Sequence, residues 1–246
     1  MIPAIVLAAG LSRRMGRFKL TLPWGATTVI GQAVATLTAA GVAEIIAVTG
    51  HRADEVAAAL AGTGAKLVFN PDYATGEMLS SIQAGLRAVV SASGDRGRSN
   101  VGEACLRRLN AESAQADFAE VAAVSTAGNQ AILLCLGDQP QMEVATVQAV
   151  LTAGAATGWQ RIIRPSYRMR AGHPIILPSA VWPDILTTGG TLREVLTAHR
   201  AITDYLVVDT PTVLADLDTP EEYAAGNWKL ETERVVSSIQ HPASRF

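Results

Sequence analysis

Cysteine is scarce in this 246-residue chain: there are two, Cys105 and Cys135, and they lie far apart. Neither belongs to a C-x-x-C pair, and no histidine stands at zinc-finger spacing from them. Neither a disulfide framework nor a cysteine–histidine metal cluster is therefore indicated. Cys135, inside the apolar run AILLCL, reads as a small core hydrophobe. Aromatic residues are few (5%) and charged residues make up only 17%, but hydrophobic residues reach 49%, ample for a core and too many for a disordered chain. No apolar run approaches the roughly 20 residues of a membrane helix; the longest, Ala4–Leu11 and Ala131–Leu136, have strand length. A basic surplus is missing too, since the net charge is −2, which argues against a nucleic-acid partner. Met1 leads into a strand-like run without the basic segment of a signal peptide. These absences lead us to expect a soluble, cytoplasmic protein with neither nucleic acid nor membrane as partner.

What is present has a rhythm. Ala4–Leu7 reads as a strand, Thr28–Ala40 as a helix ended by Gly41, Glu44–Val48 as a strand and Ala53–Leu60 as a helix. Lys66–Phe69 reads as a strand closed by Asn70-Pro71, Leu79–Val90 as a helix, and Ala131–Leu136 as a strongly apolar strand. Strands apolar on both faces that alternate with amphipathic helices predict a three-layer α/β/α domain around a mostly parallel, mixed sheet of Rossmann-like type. After the helix Val144–Ala153 the rhythm loosens. Trp159–Arg164, His173–Leu177 and Asp204–Val208 look like strands, two of them around a glycine-containing turn, which predicts an antiparallel addition. One domain is expected over residues 1–230, with a tail over 231–246 that frays by His241–Phe246. The 39 residues Ala92–Gln130 are too many for a connection in a compact α/β unit; they read as an insertion with an amphipathic helix near Val101–Phe118.

Charge is unevenly spread. No acid occurs from Met1 to Ala43, while Arg13, Arg14, Arg17 and Lys19 crowd into seven positions. From Ala201 to Trp228 there is no Lys or Arg, but Asp204, Asp209, Asp216, Asp218, Glu221 and Glu222 all occur. A basic loop early and an acidic segment late suit a polyphosphate and the cation that accompanies it, although two solvated charge runs would look the same.

The segment AIVLAAGLSRRMGRFKL (residues 4–20) carries the most information. A strand enters small residues, and then Gly10 and Gly16 bracket the basic loop. Small residues let backbone N–H groups approach phosphates, and glycine takes the positive φ of such turns. A Walker A loop fails, because Gly16 is followed by Arg17-Phe18 rather than Lys-Ser/Thr; a G-x-G-x-x-G fingerprint fails, because Gly10 has no partners; and G-x-S-x-G fails at Arg14. What remains is L-A-A-G-x-S-x-R-M-G-x-x-K, carried by Leu7, Ala8, Ala9, Gly10, Ser12, Arg14, Met15, Gly16 and Lys19.

This pattern resembles the signature loop of nucleotidyltransferases with a glycosyltransferase-A-like fold and, more narrowly, of the molybdenum-cofactor nucleotidyltransferases, of which the cytidylyltransferases are one branch. The resemblance runs from Ile5 to about Tyr223, interrupted by the insertion, and four further blocks carry it. Gly76-Glu77-Met78-Leu79-Ser80-Ser81-Ile82 matches a turn that in the family lies beside the base and ribose, which implicates Gly76, Ser80 and Ser81; either serine could instead cap the following helix. Leu136-Gly137-Asp138-Gln139-Pro140 ends the most apolar strand, and the resemblance makes Asp138 a metal ligand. Arg170-Ala171-Gly172-His173-Pro174 matches the turn bordering the acceptor, which implies Gly172 and His173 there; Ala171 stands where Arg is usual and Met169 where Gly is common. His173 could equally serve as a turn residue that hydrogen-bonds backbone. Asp216-Leu217-Asp218-Thr219-Pro220-Glu221 matches the segment supplying a second metal carboxylate, taken as Asp218, with Asp216 as the alternative and N-capping by Asp218 or Thr219 as the structural reading. Gly189-Gly190-Thr191-Leu192-Arg193 lacks the aspartate that many relatives carry at that turn.

The resemblance implies an enzyme that joins a nucleoside monophosphate to a phosphorylated acceptor and releases pyrophosphate. Its catalytic residues would be Arg14, Lys19 and Asp138. The triphosphate would be held by Arg14, Lys19 and the Ala8–Gly16 amides, with Mg²⁺ (or Mn²⁺) on Asp138 and Asp218. Two carboxylates facing each other without metal are expected to repel. CTP is the favoured donor, since guanylyl-transferring relatives tend to have Gly where Ala9 stands; molybdopterin is the favoured acceptor and a molybdoenzyme a further partner. The rival readings are GTP use, another phosphorylated small molecule as acceptor, and a non-catalytic protein that delivers the cofactor.

Overall fold

The computed structural model describes residues 2–95 and 130–227. The helix expected near Val101–Phe118 and the tail at His241–Phe246 lie outside the described residues.

The order of elements is β1 (Ala4–Ala8), a hairpin of β2 (Pro23–Trp24) and β3 (Thr27–Thr28), α1 (Val29–Ala39), β4 (Ile45–Thr49), α2 (Ala53–Ala59), β5 (Lys66–Phe69) and α3 (Glu77–Asp95). Then come β6 (Ala131–Leu136), α4 (Val144–Ala156), β7 (Ile162–Tyr167), β8 (Arg170–Ala171), β9 (Ile175–Pro178), α5 (Trp182–Thr187), α6 (Leu192–Ala198) and β10 (Thr203–Val207). A helix over 220–227, α7, closes the described chain. The main sheet runs β10-β7-β9-β6-β1-β4-β5, with β8 paired to β7.

β1 lies between β6 and β4, parallel to both, and β4 is parallel to β5. Central strands are covered on both faces, which is why β1 and β6 are almost uninterrupted aliphatic runs. Their side chains divide by parity. Val6, Leu133 and Cys135 face the layer holding Val29, Val34, Leu37 and Val147. Ile5, Ile132 and Leu134 face Ile82, Leu86, Trp182 and Val195. Helices α1, α2 and α4 thus cover one face and α3, α5 and α6 the other, the expected three layers. Thr28 caps α1, its hydroxyl accepting from Gly31 N at 3.1 Å.

The antiparallel addition is present: β9 runs against β6 and β7, and β8 against β7. Strand boundaries moved where the chain turns first. The strand expected at Trp159 begins at Ile162, because α4 continues to Ala156 and Gly158 and Trp159 then take positive φ (60° and 62°) to close it. The strand expected at His173 begins at Ile175: Pro174 has no N–H to donate, and His173 N bonds to Val213 O instead of a neighbouring strand. Helix α3 extends beyond Leu79–Val90 at both ends. The β2–β3 hairpin, α5 and α6 were not anticipated; each is too short to show a period.

Because β1 and β6 are parallel neighbours, the loops after Ala8 and Leu136 emerge at the same edge, the place where open α/β sheets bind ligands. Gly137 makes this closeness possible: a Cβ there would stand 2.7 Å from Ile30 Cδ1 and 2.8 Å from the Leu7 carbonyl oxygen. Gly137→Ala is expected to overpack this join at a cost of about 1–3 kcal/mol. At about 2–4 °C per kcal/mol for a chain of this size, thermal unfolding should report a clear fall in Tm.

Candidate active site

A cleft of ≈ 570 Å³ opens at this edge. One wall is the loop after β1, including Ala9, Gly10, Ser12, Arg13, Arg14 and Lys19; the floor holds Leu7, Leu136 and Asp138; the far wall holds Tyr73, Thr75, Glu77, Met78 and Ser81; and Asp216 and Asp218 close the side.

The loop after β1 is shaped by local chemistry. Ser12 takes a left-handed φ of 50°, its carbonyl accepts from Met15 N at 3.1 Å, and its hydroxyl accepts from Lys19 N at 3.2 Å. Gly16, at φ 66°, ends the short helical turn Arg13–Met15, a conformation glycine takes without strain. Ser12 therefore braces the loop across seven residues, which presents Arg14 and Lys19 to the cleft.

Lys19 and the carboxylates meet. Lys19 Nζ lies 2.5 Å from Asp138 Oδ2 and 2.9 Å from Asp218 Oδ1, and Arg14 Nη2 lies 3.0 Å from Asp218 Oδ2. Lys19 is 12% exposed and Asp138 19%, whereas Arg14 is 75% exposed. Burial alone would lower the Lys19 pKa, but the charges and hydrogen bonds of Asp138 and Asp218 outweigh it and hold the ammonium above its usual value. Burial likewise pushes Asp218 up, yet Lys19 and Arg14 pull it below the ordinary carboxylate range. Asp216 goes the other way: partial desolvation, followed by the nearby Asp138 charge, raises it against the hydrogen bond from Gln139. The two carboxylates thus do not face each other bare; Lys19 stands between them.

Asp138 and Asp218 fit a hard divalent cation by the chemistry of their donors. Mg²⁺ takes oxygen ligands and usually binds through one or two carboxylates plus substrate phosphates, and both carboxylates reach the same ammonium position. No cluster of three or more metal-binding side chains occurs among the described residues, and a site completed by phosphate needs none.

The turn before α3 is tied differently from expectation. Helix α3 begins at Glu77, so Ser80 and Ser81 lie within it rather than at its cap. Ser80 Oγ donates to the Glu77 carbonyl at 3.0 Å, and both hydroxyls accept from Asn70 Nδ2, at 2.8 and 3.0 Å. Asn70 is buried and was visible in the sequence only as the residue ending a strand. Ser81 lines the cleft, while Gly76 and Ser80 stand behind it: a Cβ on Gly76 would collide with Ser80 at 2.5 Å. Glu77 holds φ 51°, a costly conformation for a residue with a Cβ, at the cleft wall.

Ala8 and Gly16 belong to the elements that shape the loop without lining the cleft. Gly172 and His173 also stand off its wall. Gly172 is pressed on the Val213 carbonyl, which a Cβ would approach to 2.0 Å. His173 is turned inward, with Nε2 buried and without a partner. Gln139, which sequence reasoning passed over, is buried behind the cleft and donates to Asp216 Oδ1 at 2.6 Å and to the Val213 carbonyl at 3.4 Å. His51 packs between the rings of Phe18 and Tyr73.

Residues 4–203 match the MobA-like NTP transferase domain. The chain belongs to that family. MobA-like domains are nucleotidyltransferases by description, and solved structures with that label share this fold: a nucleotidyl transferase from Methanothermobacter thermautotroptrophicus superposes with a TM-score of 0.68 at 24% identity, over 94% of this chain and 99% of its own. The manganese complex of Rv0371c from Mycobacterium tuberculosis H37Rv gives 0.62 at 24% identity, over 92% and 98%. Among curated proteins, the molybdenum cofactor cytidylyltransferase of Escherichia coli K12 is 38% identical over 89 residues, 36% of this chain and 45% of that protein. The nicotine blue oxidoreductase of Paenarthrobacter nicotinovorans is 24% identical over 230 residues, 90% of this chain and 94% of its own. The match to the MobA-like domain ends before Asp216 and Asp218. No described helix is long and apolar enough to cross a membrane.

Burial, and then the Arg164 charge, push His173 down to about 4 from an ordinary 6.5. The folded state therefore holds this imidazole neutral where an unfolded chain would protonate it, and unfolding takes up a proton between those values. Stability is expected to be intact above pH 6.5 and to decline as pH falls towards 4. Thermal melts across that range should show the decline, and His173→Gln should flatten it.

Proposed function

We propose that this protein is a metal-dependent nucleotidyltransferase that joins CMP from CTP to a phosphorylated acceptor, molybdopterin, with release of pyrophosphate. The observation that carries the reading is the meeting of Arg14 and Lys19 with Asp138 and Asp218 in one cleft. Two cations from the loop after β1 and two carboxylates from separate parts of the chain are the complement of a triphosphate and its divalent ion. The stretch shared with the cytidylyltransferase of E. coli, 38% identical, supports cytidine and molybdopterin as donor and acceptor. The manganese held by the mycobacterial relative, with the oxygen donors of Asp138 and Asp218, supports Mg²⁺ or Mn²⁺ as cofactor.

The chemistry asks little of a general base, because the acceptor phosphate is already ionised at neutral pH. Catalysis reduces to placing that oxygen in line with the α-phosphate and neutralising charge as the bond to pyrophosphate breaks. Arg14 and Lys19 exchange their carboxylate partners for phosphate oxygens, with backbone amides from Ala8 to Gly16 completing the cradle. That exchange frees Asp138 and Asp218, which would hold the divalent ion; when bound, it supplies positive charge to the phosphate oxygens. Ser81, with Ser80 and Gly76 behind it, shapes the wall for the nucleoside. Gly172 and His173 would act on the acceptor through the placement of their turn.

CTP with Mg²⁺ is expected to raise Tm more than GTP, UTP or ATP; at 100 times Kd a nucleotide stabilises by about 2.7 kcal/mol. A clear preference for GTP would overturn the donor and keep the reaction class. Asp138→Asn and Asp218→Asn should each lower the rate of pyrophosphate release by about 10²-fold or more, the usual cost of a preorganised electrostatic contact, and Asp216→Asn much less. Full activity in Asp138→Asn would sink the assignment. A protein that binds nucleotide and releases no pyrophosphate would be a delivery protein instead.

A further inference from the structure

Asp218 stands in a loop that β-sheet pairing does not reach, yet its position is tightly determined. Leu217 N donates to the Asp138 carbonyl at 3.0 Å, which ties the loop to the end of β6. On the other side, Glu222 Oε2 accepts from both Asp218 N (2.8 Å) and Thr219 N (2.9 Å), while Thr219 Oγ1 accepts from Glu222 N at 3.2 Å. This is a reciprocal capping box at the start of α7, and it grips the peptide of Asp218 itself. The next residue joins the helix to the other half of the site. Tyr223 Oη donates to the Pro23 carbonyl at 2.6 Å, its ring packs on Trp24 at 6.1 Å, and the Arg17 guanidinium lies 5.5 Å over it. Gly226 allows the approach, since a Cβ there would stand 2.4 Å from the Trp24 ring. Pro23 and Trp24 follow the basic loop directly, so α7 straps the loop bearing Asp218 to the loop bearing Arg14 and Lys19, across some two hundred residues of sequence.

We infer that Glu222 is a positioning residue for the metal-binding carboxylate of Asp218, and that α7, through Tyr223, holds the two halves of the site in register. The inference rests on the proposed function for what Asp218 binds. Glu222 acts through its carboxylate on the Asp218 backbone, while the Asp218 carboxylate is held by Lys19 and Arg14. Side chains that orient a metal ligand typically contribute 10–100-fold to metal affinity.

The test compares wild type with Glu222→Ala, which removes the acceptor, and Glu222→Gln, which keeps an amide oxygen for the same two N–H groups. Mn²⁺ affinity is read by electron paramagnetic resonance in the presence of a non-hydrolysable CTP analogue, and pyrophosphate release is followed across a Mg²⁺ titration. Glu222→Ala is expected to weaken Mn²⁺ binding about tenfold and to raise the Mg²⁺ needed for half-maximal turnover similarly, with kcat at saturating Mg²⁺ largely retained. Glu222→Gln should recover most of both. Tyr223→Phe should raise KM for CTP with little change in Mg²⁺ dependence, because the strap reaches the phosphate side there. Unchanged Mn²⁺ affinity in Glu222→Ala, or equal losses in the Ala and Gln variants, would overturn the positioning role. Should wild type release no pyrophosphate while Glu222→Ala still loses Mn²⁺ affinity, the proposed reaction falls and the positioning role stands.

Discussion

One half-buried ammonium, that of Lys19, is shared between two carboxylates that reach it from the middle and the late part of the chain, and much of the cleft is arranged so that this sharing can occur. Asp138 arrives because β6 pairs in parallel with β1 and ends beside it; Lys19 arrives because Ser12 folds the loop after β1 back on itself. Asp218 arrives because its loop is bonded to the Asp138 backbone. A charge pair with little solvent around it is stable only when each member is well matched. The lysine stands against the carboxylates as a cation would, and the carboxylates stand against Lys19 and Arg14 as phosphates would. These contacts keep the four side chains oriented, and groups that are already oriented lower the ordering cost of binding. A polyphosphate alone would leave the carboxylates uncompensated, and a divalent ion alone would confront the ammonium. The two are therefore best accommodated together.

The fold and the gathering of charges in the cleft were legible for the same reason: both follow from strong local patterns. Ala4–Ala8 and Ala131–Leu136 are aliphatic on both faces because they lie in the middle of a parallel sheet, and the residues that follow such strands are the ones brought to the ligand edge. Arg14, Lys19, Asp138 and Asp218 stand in one cleft as the basic loop and the acidic segment suggested. The parts that escaped depend on contacts distant in sequence. Asn70 gives no sign that its amide will hold Ser80 and Ser81, and a serine followed by an apolar run looks like a cap whether or not the helix begins three residues earlier. Tyr73 lines the cleft from a turn that carries no motif, and Glu77 and Met78 line it from unspecified positions of the motif before the serines. Glu222 was visible only as one more acid in a charged stretch, although Thr219 three residues before it is the pattern of a capping box.

The acceptor turn shows how far a motif can stand from the surface it is expected to serve. Gly172 and His173 face Val213 rather than the cleft, and the Val213 carbonyl accepts from both His173 N and Gln139 Nε2. Gln139 in turn holds Asp216, which lines the cleft. The Val213 carbonyl therefore joins the turn to the acidic loop. Gly172 has no room for a side chain at that point, so the join is one of backbone against backbone. The histidine, buried neutral beside Arg164, belongs to this join as a packed element. Any influence of the turn on an acceptor would then pass through the position of the 213–218 segment, the same segment that Glu222 and the Asp138 carbonyl hold from the other side. On the proposed function, the acidic loop is the place where the nucleotide and acceptor sides would be mechanically coupled.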